Sequence, residues 1–302
     1  MFNSRHQHIK LSCNGFSLVE LIMVIVLIGI LAGVASIFIT RPIEAFIDTN
    51  RRAELVDIAE TALHRMSRET RHALPNSVRI ANNGTRFSIE FLRTSVGGRY
   101  RTLPASAGIS DTLNLTANTD SFDILGGLPG FNLVDTTGGT GRSACLNNTV
   151  DCIVIFNTGT SVTDFNAYIG NNIAAITAIS NTSLTFNNTD VAGWRFPSTS
   201  PAQRFFVVDT PMSFVCDNAT GELWLYQNYA IQNVQPVTAA SFGAGGAMLA
   251  NQVANCSINT FQYNAGAGQR YGLVIFRITI AATDGSNEQI SLLQQVHVLN
   301  AP

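Results

Sequence analysis

The sequence is short of charge. Lysine and arginine number 18 and aspartate and glutamate 20 in 302 residues, for a net charge of −2. Lys10 is the only lysine, and nothing in the sequence accounts for that scarcity. There is no basic tail or cluster, which argues against a nucleic-acid partner, because phosphate binding needs concentrated positive charge. Catalytic templates are missing as well. No GxSxG, HExxH or CxxC occurs, so the nucleophile elbow, the zinc-protease helix and the dithiol redox pair all lack their framework. Gly138 to Ser143 reads GGTGRS, without the lysine and spacing of a phosphate loop. Gly243-Ala244-Gly245-Gly246 lies in a small-residue loop and imitates a dinucleotide fingerprint by chance. Beyond the first stretch the histidines are His64, His72 and His297. The first two lie too far apart on one predicted helix to ligate a metal together, and His297 falls in a predicted strand with a structural role. The expectation is a non-enzyme with no cofactor and no metal site.

What is present begins at the amino terminus. Residues 1–15, MFNSRHQHIKLSCNG, carry Arg5 and Lys10 and no acid, and Leu21 to Ile39 then contains no charged residue. That run approaches the roughly 20 residues of a membrane span. By the positive-inside rule the leader stays cytoplasmic and the rest of the chain crosses the membrane. Glu20 stands at the head of the run, where a carboxylate costs up to roughly 2.5–3.5 kcal/mol on insertion scales, and less near the edge of the apolar core. An ordinary secretory signal gives no reason for it. Such a signal would end at a small-residue site, for which Gly33-Val34-Ala35 is a weak candidate, yet the apolar run continues through Ile37, Phe38 and Ile39.

Gly15-Phe16-Ser17-Leu18-Val19-Glu20 with this run resembles the class III leader of type IV pilins and type II secretion pseudopilins. The resemblance implies that a prepilin peptidase cuts between Gly15 and Phe16 on the cytoplasmic side and N-methylates Phe16. It also implies a use for Glu20: pairing with the charged amino terminus of a neighbouring protomer when apolar helices pack in a filament. Each charge alone is costly in low dielectric, and the pair far less so. The plainer reading is that Glu20 complements the positive end of its own helix, worth about 0.3–1 kcal/mol. The motif covers about the first 30 residues only, at the position where the chain meets a membrane.

Beyond the membrane half, assigned to residues 16–41, Arg41-Pro42 marks an exit where proline kinks or restarts the helix. Over residues 42–74, Ile43, Phe46, Ile47, Leu55, Ile58, Ala59, Ala62, Leu63 and Met66 recur at helical spacing, predicting an amphipathic helix with one buried face. Acids lead and arginines follow on the other face, from Glu44 and Asp48 to Arg65, Arg68 and Arg71, either as a solvated face or as bridges between subunits. Pro75 ends the element. From Phe16 to His72 the helix would run roughly 85 Å if unbroken.

Residues 75–302 form the head. Gly, Asn, Thr and Ser dominate and the apolar runs shorten to strand length: Arg86–Arg93, Cys152–Phe156, Phe205–Val208 and Glu222–Tyr226, with Leu273–Ala281 and Gln289–Leu299 flanking a turn at Asp284-Gly285-Ser286-Asn287. Residues 97–148 read as a loop-rich insertion. The fold class expected is α+β, with a mostly antiparallel β head packed on the amphipathic half of the helix. Together with the long stalk this is the lollipop that the resemblance also implies.

Cys13 lies in the leader, leaving Cys145, Cys152, Cys216 and Cys256 in the exported part. An oxidising compartment favours disulfides. Four cysteines allow three pairings, and we favour the one between chain neighbours, Cys145–Cys152 with Cys216–Cys256. Asp111, Asp120 and Asp123 near Asn118 could bind calcium, as some pseudopilin heads do, although a polar loop is the better reading. The segments Arg65–Arg79 and Gln294–Pro302 resemble large minor pilins of the mannose-sensitive haemagglutinin (MSHA) type, the MshO-like group. The function expected is therefore a minor pilin that helps prime assembly or sits near the filament tip, because a head of about 230 residues is bulky for a repeating shaft. By the resemblance its partners are the prepilin peptidase, other major and minor pilins and the inner-membrane assembly platform. Its location is the bacterial inner membrane with the head in the periplasm, then the filament. The alternatives are a minor pseudopilin of a type II secretion system, a membrane-anchored binding or adhesive domain outside any filament, and a secreted enzyme with an ordinary signal.

Overall fold

The computed structural model describes residues 15–103, 111–243, 245–266 and 271–302. Helix α1 spans Leu18–Thr70. The chain divides into two compact units, residues 1–53 and 54–302. In the first, the described chain is the first part of α1, and its side chains are almost all exposed. Pro42 lies inside the helix. Proline removes one backbone donor, yet the turns on either side carry the element through Pro42 without a restart.

The second unit holds the last turns of α1 and the sheets. Leu55, Ala59, Ala62, Leu63 and Met66 are buried, three and four residues apart as one helical face requires. They join Ile89, Phe91, Met212 and Phe214 of one sheet and Val274, Phe276, Val296 and Val298 of another in a single core. Ile43, Phe46 and Ile47, of the same predicted stripe, are 53%, 66% and 50% exposed. The buried face thus begins at Leu55, not at Ile43.

Among the described residues the strands are β1 (Arg79–Asn82), β2 (Arg86–Tyr100), β3 (Thr119–Leu125), β4 (Cys152–Val154), β5 (Ile173–Ile179), β6 (Ser183–Asn187), β7 (Arg204–Asp217), β8 (Glu222–Gln227), β9 (Ala247–Ala250), β10 (Phe261–Asn264), β11 (Tyr271–Ala281) and β12 (Gln289–Leu299). All named pairings are antiparallel. The order β1-β2-β3-β6-β5-β4-β7-β8-β9, with a further β2–β7 pairing, closes β2-β3-β6-β5-β4-β7 into a ring. That small barrel is filled by Phe122, Phe186, Phe205, Trp194 and Phe196. Gly98 belongs to its wall: a Cβ there would lie 2.8 Å from the Phe205 ring, so the strand can approach that closely only without a side chain. The stretch 97–148 contributes β3 to the barrel, and strands as far as β7 complete it. A separate sheet has the order β10-β11-β12. In the turn between β11 and β12, Gly285 takes φ +84° and Asn287 φ +57°.

Cys145 is bonded to Cys152 and Cys216 to Cys256. The first bond ties the short helix α2 (Arg142–Leu146) to the barrel strand β4. The second ties β7 to the chain leading into β10. Sequence separations of 7 and 40 set their different worth. Chain-entropy arithmetic gives about 2 kcal/mol for the short loop and about 4 kcal/mol for the long one. Replacing Cys216 and Cys256 by alanine should therefore lower the urea midpoint clearly more than replacing Cys145 and Cys152. Equal or inverted losses would contradict the entropic account.

Candidate functional site

Among the described residues nothing requires glycine at position 15. A Cβ added to Gly15 would meet nothing within 4 Å, and Phe16 beside it is 78% exposed. The pair is an open peptide ahead of the first turn of α1, accessible to another protein. Ser17 caps that turn: its Oγ accepts from Glu20 N–H at 3.2 Å, and its carbonyl accepts from Leu21 N–H at 3.1 Å. Ser-x-x-Glu before an apolar run is the sequence signature of such a cap. Ser17 thereby fixes where α1 begins, a structural role that this signature makes legible in the sequence.

Glu20 sits in the first turn and is exposed. Its carboxylate has no hydrogen-bond or ion-pair partner among the described residues. Beyond it, Leu21 to Ile39 shows only exposed side chains. An 18-residue window of α1 has a mean hydropathy of 3.0 and nothing in it is buried. It is long and apolar enough to cross a membrane. Contiguous apolar surface on this scale is not left to water; the helix anchors the chain in a membrane. Arg5, Lys10 and Cys13 of the leader lie outside the described residues.

The other sites weighed from the sequence resolve into local structure. Asp120 Oδ2 accepts from Asn114 N–H at 2.6 Å and Asp123 Oδ2 from Asp111 N–H at 3.2 Å, so these carboxylates hold a loop against β3. Burial raises the Asp120 carboxyl above its ordinary value. Among the described residues no group of three or more histidines, cysteines and carboxylates is placed to hold a metal ion. At the GGTGRS stretch the N–H groups of Arg142 and Ser143 donate to the Asp190 carboxylate at 2.8 and 2.9 Å, which fills the place an anion would take. His64, His72 and His297 are all exposed. Asp151, beside Asp209, Asp135 and Arg93, has its carboxyl pushed up to about 6, chiefly by burial.

Residues 10–36 match the family model of the prokaryotic N-terminal methylation motif. Comparison with curated proteins and with solved structures found no match. The matched stretch contains the open Gly15–Phe16 peptide, the Ser17 cap, Glu20 and most of the apolar run. The chain thus carries a leader of the type IV pilin and pseudopilin kind.

Proposed function

We propose that this chain is a minor type IV pilin of the MSHA type, cut between Gly15 and Phe16, N-methylated on Phe16, and built into a pilus where it helps prime assembly or sits near the tip. The observation that carries the reading is Glu20: a carboxylate with no partner among the described residues, on the first turn of a helix whose apolar run, Leu21 to Ile39, is exposed throughout. A plain anchor gains from that charge only about 0.3–1 kcal/mol of interaction with its own helix terminus. A helix that must later pack beside a copy bearing a positive amino terminus gains an ion pair in low dielectric. The size of the second unit and the resemblance of Arg65–Arg79 and Gln294–Pro302 to large minor pilins support the special position. Its partners are the prepilin peptidase, which meets the open Gly15–Phe16 peptide, then other pilins and the inner-membrane assembly platform. The head works in the periplasm and then on the filament, as a structural subunit rather than an enzyme.

The test is the amino-terminal mass of the protein recovered from membranes, with and without the prepilin peptidase. The expected result is a chain starting at N-methyl-Phe16, replaced by the uncut chain when the peptidase is absent. A chain starting at Met1 or near Ser36 in both strains would overturn the reading.

A further inference from the structure

We infer that the free edge of β12, with the basic face of α1 beside it, is a docking groove for an extended acidic segment of a partner protein. β12 is the terminal strand of its sheet. On one side it pairs with β11 from Gln289–Ala281 to Leu299–Tyr271 without a register shift. Its other side pairs with no strand among the described residues. Natural edges of this kind are guarded by charge, proline or a bulge. The sequence QISLLQQVHVL contains no lysine, arginine, carboxylate or proline, and Leu293 is 47% exposed. The strand offers a row of unsatisfied backbone donors and acceptors, the requirement for strand addition.

The groove beside it specifies the charge of the incoming strand. It measures about 720 Å³, and its lining includes Gln294 of β12, His64, Arg65, Ser67 and Arg68 of α1, and Arg71 just past the helix end. Arg68 reaches Glu69 at 3.0 Å. Arg65 and Arg71 meet no carboxylate among the described residues. Ser67 is 5% exposed, and its Oγ is buried with no hydrogen-bond partner among the described residues. A buried hydroxyl without a partner is costly unless a ligand completes it. Arg65 to Arg71 spans about 9 Å of helix rise, and residues on one face of a strand recur every ~6.8 Å. An added strand with acids at alternate positions would set two carboxylates within reach of the three guanidinium groups. A nucleic acid could meet the arginines but could not use the backbone row of β12.

The inference does not rest on the filament reading. Its test uses the full processed chain in detergent and a short labelled peptide alternating valine and glutamate. Saturable binding is expected, weakened about tenfold by Arg65→Glu with Arg71→Glu. Methylating the peptide's backbone nitrogens at every second residue should abolish binding in one phase and spare it in the other, since an added strand donates hydrogen bonds to β12 from one edge only. That measurement needs no protein variant. Absence of saturable binding, or equal binding of both methylated peptides and the parent, would overturn the proposal. So would single-stranded polythymidylate binding where the peptide does not, which would assign the groove to a nucleic acid.

Discussion

Glu20→Gln should leave the chain cut after Gly15 and held in the membrane, yet reduce its recovery in sheared filaments at least about tenfold. The expectation follows from comparing magnitudes. Interaction of Glu20 with its own helix terminus is worth about 0.3–1 kcal/mol, too little to offset roughly 2.5–3.5 kcal/mol for a carboxylate carried into a bilayer core. The cap on the first turn does not need the carboxylate either. Ser17 Oγ accepts from the backbone N–H of residue 20, a donor that glutamine keeps. What glutamine lacks is the charge to pair with a positive amino terminus on a neighbouring helix. Glu20→Asp should restore part of the recovery, since it returns the charge on a shorter arm. Should Glu20→Gln enter filaments at the normal level, Glu20 is a terminus charge and no more. A chain that performs its task as Glu20→Ala without entering filaments would instead fit a membrane-anchored binding domain.

The amino-terminal site was legible in the sequence because its logic is local. A small residue at an open peptide, a hydroxyl capping a turn and one carboxylate before an apolar run lie within six consecutive residues, 15–20. The long strands at the end of the chain were legible for a similar reason. In β11 and β12 the alternation of inward and outward residues is uninterrupted. The barrel was not. Its strands β3 and β6 are rich in Asp, Thr, Ser and Asn, a composition that reads as loop, and its closure depends on pairings between distant segments. Asn157, Asn166, Asn172 and Asn188 show why composition misled. All four are buried, serving backbone groups in loops and, for Asn188, at the start of β5. Asn157 Nδ2 donates to the Pro75 carbonyl at 2.8 Å, and Asn188 Nδ2 to the Ile173 carbonyl at 2.8 Å. The helix taught a different lesson. Ile43, Phe46 and Ile47 share the periodicity of the core face, but periodicity reports that a face is apolar and not what covers it.

Glu90 shows the same limit inside a strand that was found. Alternation over Arg86–Arg93 sends Ile89 and Phe91 into the core and Ser88 and Glu90 to the other face, which in a half-buried strand is wet. The structure leaves Ser88 and Glu90 0% exposed, because the chain after β8 lies over that face. Gln235 Nε2 donates to the Ser88 carbonyl at 3.1 Å, and Tyr229 O–H donates to Glu90 Oε1 at 2.8 Å. Arg79 completes the clamp. Its Nε–H donates to Glu90 Oε2 at 2.6 Å, and its two terminal nitrogens donate at 2.7 Å to the carbonyls of Gln232 and Asn233. The guanidinium carbon lies 3.6 Å from the centre of the Tyr168 ring. No short window of sequence contains both halves of this arrangement.

Arg79→Ala should accordingly cost about 3–5 kcal/mol, the penalty for stranding a buried charge. The loss should depend on pH in a defined sense. Burial already raises the Glu90 carboxyl above its ordinary value, against the lowering effects of Arg79 and Tyr229. Without Arg79 it rises further. A group whose folded pKa exceeds its unfolded one contributes its full stability below the unfolded value, near 4.3, and loses it as pH rises through the folded value. The deficit of Arg79→Ala should therefore be larger in urea titrations at pH 7 than at pH 5. An equal deficit at both, or a loss below about 1 kcal/mol, would mean that the ion pair is not what the site depends on. Replacing both partners with apolar residues of similar volume, Arg79→Met with Glu90→Leu, separates stability from position. Such replacements are commonly neutral or stabilising by about 1–4 kcal/mol, so global unfolding should change little or improve. The carbonyls of Gln232 and Asn233 would still lose their donors, and Tyr229 would keep only Ser213 Oγ as a hydrogen-bond partner. The segment over β2 should then become more open to proteolysis while the sheet beneath it holds. That division would show that Arg79 and Glu90 fix where the covering segment lies, a task for which a costly buried ion pair is suited and an apolar pair is not.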